Sequence, residues 1–388
     1  MSVRLRRIGG NLALLAMSLA VVFAMLELVV FKYIFVPDDV LETVSVDGVV
    51  RYRPGTTAIM RYPGGVRTRV TINAQGWNST KASYRKERTP GTLRVAVVGD
   101  SYVHARYLDV DGAFPELLEA ELGRRGIPTE VYRFGIDGAP LSQYLHMLRR
   151  EVRQYRPDIV VVPLIHNDFD ESYRLIRRRY WSSFMKLRSD ADGRIVEIAP
   201  TDYRPGLSDT LRGLRSFRYL YYNTSLYLTL KGVVSRYVWG GKEDYAPEFI
   251  QSAVDIRNIR DHAKNRIFAR YVLAEMKRLA DADGFRLAFV MDGVREAIYD
   301  GKPLSSYEVG KLNALAAQLT GELGLPFVDL QDTFAAAYRQ TGERLEFPYD
   351  WHWNGKANAL VARTIADMVI RDPRIGTAHL AKGRTPRL

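Results

Sequence analysis

The sequence predicts an α/β protein: a doubly wound, flavodoxin-like, mainly parallel sheet with helices on both faces, preceded by one transmembrane helix. Three observations carry this reading. From Leu93 onward, short apolar runs alternate with stretches of helical spacing, joined by short loops, as in wound parallel sheets. Ahead of them, Ile8 to Phe31 run for 24 positions with a single charge, Glu27, enough to span a hydrocarbon core of about 30 Å. The length of 388 residues leaves room for two or three domains and a sizeable core.

The elements follow in order. Residues 1–36 read as an N-terminal transmembrane anchor. Arg4, Arg6 and Arg7 precede the apolar run while Pro37, Asp38 and Asp39 follow it, so the positive-inside rule puts the N-terminus in the cytoplasm. The rest of the chain is then periplasmic or extracellular. Glu27 falls five residues before Lys32, near the outer interface, where an ionisable group costs less than at the membrane centre. A cleaved signal peptide is the competing reading, although no small-x-small site follows the run. Residues 37–92 form a β-rich lead-in and linker, with alternation in Val66 to Ile72, turns at Pro54-Gly55 and Pro63-Gly64, and a polar stretch Lys81–Pro90.

Residues 93–371 form the main domain. Arg94 to Gly99, Thr129 to Phe134 and Asp158 to Leu164 are apolar enough for buried parallel strands, and Arg286–Met291 and Phe327–Leu330 continue the series. Helices are expected at Phe114–Arg124, Leu141–Tyr155, Ile267–Ala282, Ser306–Leu323 and Asn354–Ile370. An interruption at about 170–262 is too long for a plain loop and reads as a partly helical insertion. Residues 372–388 are a short basic tail.

The net charge of +12 is unevenly placed. Residues 171–242 hold fourteen basic and six acidic residues, and the anchor and tail are also basic, which leaves the scaffold slightly acidic. Such a distribution points to a membrane surface or an anionic polymer rather than to nucleic acid. The insertion, with its many Arg and Tyr residues, has three readings: lipid head groups, an anionic polysaccharide, or water alone. The absence of cysteine excludes disulfides, zinc ribbons and thiol nucleophiles. No Gly-x-Ser-x-Gly elbow, nucleotide loop or His-Glu-x-x-His helix is present, so no cofactor and no metal is expected.

In a wound sheet, ligands bind beyond the carboxyl ends of the strands. There stand Gly99-Asp100-Ser101, then Gly135 and Gly138, then His166, Asn167 and Asp168, and, before the last helix, Asp350-Trp351-His352-Trp353-Asn354. Together they supply the parts of acyl transfer. A serine hydroxyl needs a base to take its proton. His352 is that base, and Asp350 holds its ring in the working tautomer. The Ser101 and Gly138 backbone N–H groups and the Asn167 amide are the expected oxyanion donors.

This set resembles the SGNH (GDSL-type) hydrolase superfamily over roughly residues 93–370. The blocks Val98-Gly99-Asp100-Ser101, Gly135-Ile-Asp-Gly138, Asn167-Asp168 and Asp350-Trp-His352 occur in that family's order. The resemblance implies nucleophile Ser101, oxyanion donors Gly138 and Asn167, base His352 and third triad member Asp350. Two departures stand out. His166 directly precedes Asn167, where a common pattern has glycine nearby, and Asp350 is two rather than three residues before His352. The shorter Asp-x-His-Trp form looks like that of the polysaccharide O-acetyltransferase branch, whose members often receive acetyl from a partner membrane acyltransferase.

The expected activity is a serine esterase acting on acyl, foremost O-acetyl, esters of an extracytoplasmic glycan. The alternatives are O-acetyl transfer by the same triad and a noncatalytic glycan-binding or scaffold role in the cell envelope. His166, Trp351 and Trp353 are candidate pocket residues, each with an equally good packing reading. His104, one helical turn after Ser101, reads as an ordinary helix-face histidine more readily than as a second base. Asp168 and Asp170 read as turn carboxylates rather than cation ligands. Asn78 and Asn223 each begin a glycosylation pattern of a kind common by chance.

Overall fold

The computed structural model describes residues 3–37, 39–61, 67–174, 183–203, 206–220, 261–348 and 352–372. The chain divides into two compact units, Met1–Val40 with Arg204–Pro247, and Leu41–Tyr203 with Glu248–Leu388.

The first unit contains helix α1 (Val3–Met25), which continues through wider π-type turns over Leu26–Ile34. Within Arg7–Ile34 an 18-residue window reaches a mean hydropathy of 2.6, and the helix is long and apolar enough to cross a membrane. Two short helices of the insertion belong to the same unit and are described below.

The second unit opens with two hairpins. Strands β1 (Thr43–Val46) and β2 (Val49–Tyr52) pair antiparallel, as do β3 (Thr57–Arg61) and β4 (Arg67–Thr71). Then β5 (Leu93–Gly99), α2 (Ser101–His104), α3 (Phe114–Arg124), β6 (Thr129–Gly135), α4 (Leu141–Arg150), β7 (Ile159–Leu164) and α5 (His166–Glu171) follow in order. The insertion adds the hairpin β8 (Lys186–Ser189) and β9 (Ile195–Ile198) to this unit, and α6 (Leu207–Arg212) and α7 (Arg215–Arg218) to the first. The chain closes with α8 (His262–Asp283), β10 (Arg286–Met291), α9 (Arg295–Asp300), α10 (Gly310–Glu322), β11 (Phe327–Asp329), α11 (Gln331–Thr341) and α12 (Gly355–Arg371).

The five long-range strands form one sheet in the order β11-β10-β7-β5-β6, every pairing parallel. This is the doubly wound, flavodoxin-like order, with β5 between β6 and β7 where the winding reverses. All residues of β5 and β7 are buried, as strands covered on both faces must be. Alternation along the strands splits the core in two. Val95, Val97, Val161 and Val290 face Phe114 and Leu118 of α3 and Val361 and Ile365 of α12. Ala96, Val98, Val162, Phe289 and Met291 face Leu145 of α4, Val272 and Met276 of α8 and Leu312 of α10.

The lead-in packs on the second of these layers. Trp77 meets Phe134 edge-on at 5.5 Å, and Arg51 pairs with the buried Glu151 at 2.9 Å. The stretch Lys81–Pro90, read from sequence as a polar linker, carries Tyr84 into the core, stacked on Tyr132 at 4.3 Å. Asn78 is buried, with its amide donating to the His104 carbonyl at 2.8 Å, which removes it as a glycosylation site; Asn223 lies outside the described residues.

Other differences from the sequence reading have local causes. The insertion is not only helical: β8 and β9 pair around a turn at Asp190–Gly193 that the mixed polarity of the flanking residues hides. Helix α11 was not expected, because Phe334 is its one fully buried residue and it shows little apolar stripe. Helix α4 stops at Arg150, and Val152–Tyr155 tightens into a 3-10 turn.

Phe289 is fully buried on β10 beneath α8 and α10. Phe289→Ala is expected to lower the unfolding free energy by about 3–5 kcal/mol, measured by urea unfolding of the purified chain.

Candidate active site

The carboxyl edge of the sheet is built around α2, a single helical turn that starts where β5 ends. Asp100 is its N-cap, its carboxylate accepting from the Tyr102 N–H at 2.9 Å. Ser101 is therefore the first helical residue, in the turn whose N–H groups have no partner within the helix. The turn ends at Ala105 in a left-handed conformation, φ 48°.

Ser101 Oγ lies 2.7 Å from His352 Nε2, across 251 residues of sequence, so a neutral ring accepts the hydroxyl proton. The ring of His352 lies between two tyrosines, Tyr102 at 4.7 Å and Tyr107 at 5.2 Å between ring centres. Its backbone carbonyl accepts from the Phe347 N–H at 3.0 Å, and the next residue, Trp353, bridges to Glu346. These tilted ring contacts and the backbone pairing together hold the ring toward Ser101. Asp350 and Trp351 lie outside the described residues.

Gly138 follows β6 and Asn167 follows β7, so the two stand on either side of Ser101 at the ends of the strands flanking β5. Gly138 has φ 74°, a left-handed turn that favours glycine. Asn167 is buried on α5, and its amide donates to Glu171 Oε1 at 3.0 Å, one turn along the same helix. His166 is buried and bonded through Nε2 to Asn313 Oδ1 at 2.9 Å, so it seals the end of β7 against α10. Trp353 is buried, and its indole N–H donates to Asp292 Oδ1 at 2.8 Å; one edge of the ring borders the recess beside Ser101.

His104 turns away from the nucleophile. Its Nδ1 lies 2.9 Å from the Tyr52 hydroxyl and 2.7 Å from Asp137 Oδ1, and burial holds its pKa below the ordinary value. Asp137, which also pairs with Arg106 at 3.2 Å, stays well below the usual carboxylate range: the charges of His104 and Arg106 outweigh the desolvation that opposes ionisation. Asp100 moves the other way, pushed up to about 6 by burial against the pull of the Tyr102 N–H and His352. Asp168 is raised by burial and by the charge of Asp100. Glu171 is pushed up to about 8 by burial, opposed by the Asn167 amide and Lys186. Among the described residues no cluster of three or more His, Asp or Glu fits a metal ion.

Several supporting residues carry no local sequence signal. Asp292 and Arg295 form a fully buried ion pair at 2.8 Å, and Arg295 also donates to the Tyr102 hydroxyl at 3.1 Å. Asp292 thus ties Trp353, beside the base, to Tyr102, beside the nucleophile. Tyr102 was within reach of sequence reasoning as the neighbour of Ser101. Arg295, 194 positions along the chain from Ser101, was not.

Two outcomes follow. A methyl group on Gly135 would meet the His104 amide nitrogen and lie 2.7 Å from the Val103 carbonyl carbon, both backbone atoms of α2. Gly135→Ala is expected to shift the Ser101 turn and break the contact between Ser101 Oγ and His352 Nε2, read from a crystal structure of the variant, with the fold retained by circular dichroism. Glu171, whose folded pKa lies above its unfolded value, holds a proton in the native state that the unfolded chain releases. Stability therefore falls as pH rises from about 4.5 to about 8, with a slope of up to about 1.4 kcal/mol per pH unit. Glu171→Gln should flatten that slope in thermal melts taken across this window.

No family model matches the chain, and no curated protein sequence matches it. Among solved structures, the chain is similar to the acetyl xylan esterase AlAXEase, with 14% identity and a TM-score of 0.40, covering 72% of this chain and 100% of that one. It is also similar to TesA, with 14% identity, a TM-score of 0.37 and coverage of 71% and 98%. A third is a GDSL-like lipase from Bacteroides thetaiotaomicron VPI-5482, with 13% identity, a TM-score of 0.36 and coverage of 76% and 94%.

Proposed function

We propose that this chain is an SGNH-type serine esterase that removes short acyl groups, O-acetyl foremost, from a glycan outside the cytoplasm. The observation that carries the reading is the 2.7 Å contact between Ser101 Oγ and His352 Nε2 at the carboxyl end of the central strand. Ser101 attacks the ester carbonyl while His352 takes its proton. The oxyanion is met by the backbone N–H groups of Ser101 and Gly138 and by the Asn167 amide. His352 then protonates the leaving alcohol, and water resolves the acyl-Ser101 ester by the same base. Asp350, two residues before the base, serves as the third member of the triad.

A recess beside Ser101 is lined by Ala105, Tyr107, Leu108, His352 and Trp353. The apolar N-terminal helix supports anchoring in a membrane, with the catalytic unit on the outer side by the positive-inside rule. A second reading is O-acetyl transfer to a sugar hydroxyl, with acetyl supplied by a membrane-bound acyltransferase. The spacing Asp350-Trp351-His352-Trp353 favours it.

The test uses the purified full chain, an activated acetyl ester and an acetylated or free oligosaccharide. Hydrolysis releases acetate alone, whereas transfer yields acetylated sugar. Ser101→Ala is expected to reduce either activity by about 10³-fold or more and to abolish labelling by a serine-directed phosphonate. Turnover that survives Ser101→Ala would refute the site, and glycan binding without any adduct would favour a noncatalytic role.

A further inference from the structure

Glu27 is the one ionisable side chain within the apolar run of the N-terminal helix, and it is buried by the insertion. Its carboxylate accepts the backbone N–H groups of Arg215 and Ser216, both at 2.8 Å, and the Ser216 hydroxyl as well. These are the first N–H groups of α7, which the helix itself leaves without partners. One turn outward, Tyr219 packs on Phe31 at 5.6 Å and on Phe35 at 5.4 Å, and Arg218 pairs with Asp39 at 3.8 Å. All these contacts lie within one compact unit.

Depth along the helix gives this docking its meaning. Glu27 is twenty residues beyond Arg7, or about 30 Å along an α-helix, the thickness of a hydrocarbon core. Lys32 and Tyr33, next along the chain, are residue types of the membrane–water interface. With the basic end of the helix at one face of the bilayer, the carboxylate stands at the opposite boundary, and α7 must come down to that level to meet it. The segment that comes down has the composition of a lipid-facing surface. Leu207 (77% exposed), Leu211 (37%) and Leu220 (44%) present apolar side chains outward, while Arg212 pairs with Asp209 at 3.1 Å and Arg218 with Asp39. Leu207 and Leu211 are one turn apart on the same side of α6.

We infer that Leu207–Leu220 lies in the outer lipid interface, seated on the anchor helix through Glu27, with its exposed leucines among the acyl chains. The segment thereby adds a second membrane contact beside the anchor and ties the insertion to the bilayer surface. This rests on the reading of Arg7–Ile34 as a membrane-crossing helix. It is independent of the chemistry at Ser101.

The chain contains no cysteine, so single cysteines can be labelled without background. The full chain is reconstituted in phosphatidylethanolamine–phosphatidylglycerol vesicles with an environment-sensitive fluorophore at Met17→Cys, Leu207→Cys or Leu211→Cys. Quenching is read with lipids carrying a nitroxide near the head group or deep in the chain. The inference expects Met17→Cys to be quenched best by the deep probe, and Leu207→Cys and Leu211→Cys by the shallow one with a blue-shifted emission. Glu27→Gln, which removes one of the two acceptor oxygens, should reduce quenching at Leu211→Cys and leave Met17→Cys unchanged. If Met17→Cys is quenched while both leucine sites stay unquenched, the inference is overturned and the anchor stands. If none of the three is quenched, the anchor reading fails and the inference with it. Unchanged quenching at Leu211→Cys in the Glu27→Gln background would overturn the role given to that carboxylate.

Discussion

The turn Ser101–His104 rests so closely on the ends of β5 and β6 that only glycine fits beneath it. A side chain at Gly99 would run into Val103, and one at Gly135 into the backbone of Val103 and His104. This close approach sets the height of Ser101 above the sheet. The rest of the edge is arranged around it: Gly138 and Asn167 on the flanking strands, Tyr102 and Tyr107 on the ring of the base, and Asn78 and Tyr52 of the lead-in on the far side of the turn. The lead-in is thus part of the support of the site.

Charge is handled differently on the two sides of the nucleophile. Toward β6, Asp137 remains ionised beside His104 and Arg106. Toward β7, Asp100, Asp168 and Glu171 share a buried region where desolvation and mutual repulsion hold protons on carboxyl groups. Behind the base, a fully buried Asp292–Arg295 pair connects Tyr102 to Trp353. A buried pair of this kind is a poor source of stability. Its hydrogen bonds do, however, place the two aromatic rings that border Ser101 and His352.

Legibility in the sequence followed locality. Strands β5, β7 and β10 were readable because residues covered on both faces must be apolar in unbroken runs. Helix α12 was readable from its wide apolar stripe, and Ser101, Gly138, Asn167 and His352 from their places at element ends. Helix α11 was not, since Phe334 is its one fully buried residue and Ala335 and Tyr338 pack on the core only partly buried. The hairpin of β8 and β9 was not, since its strands are four residues long and mostly half exposed. Tyr84 inside a polar stretch was missed because its burial is decided by Tyr132, a distant partner.

By itself the sequence determined the wound parallel fold, the apolar N-terminal helix and the four blocks at the sheet edge. These follow from periodicity, residue type and position relative to strands, all local properties of a chain. Tertiary structure decided that His352 reaches Ser101, that His104 faces Tyr52 and Asp137 instead, and that His166 seals a strand end on Asn313. It also decided that Glu27 finds its partners at Arg215 and Ser216. Each of these is a contact between residues far apart in sequence. A side chain's partner there is set by which elements pack together, and a linear pattern carries no record of that.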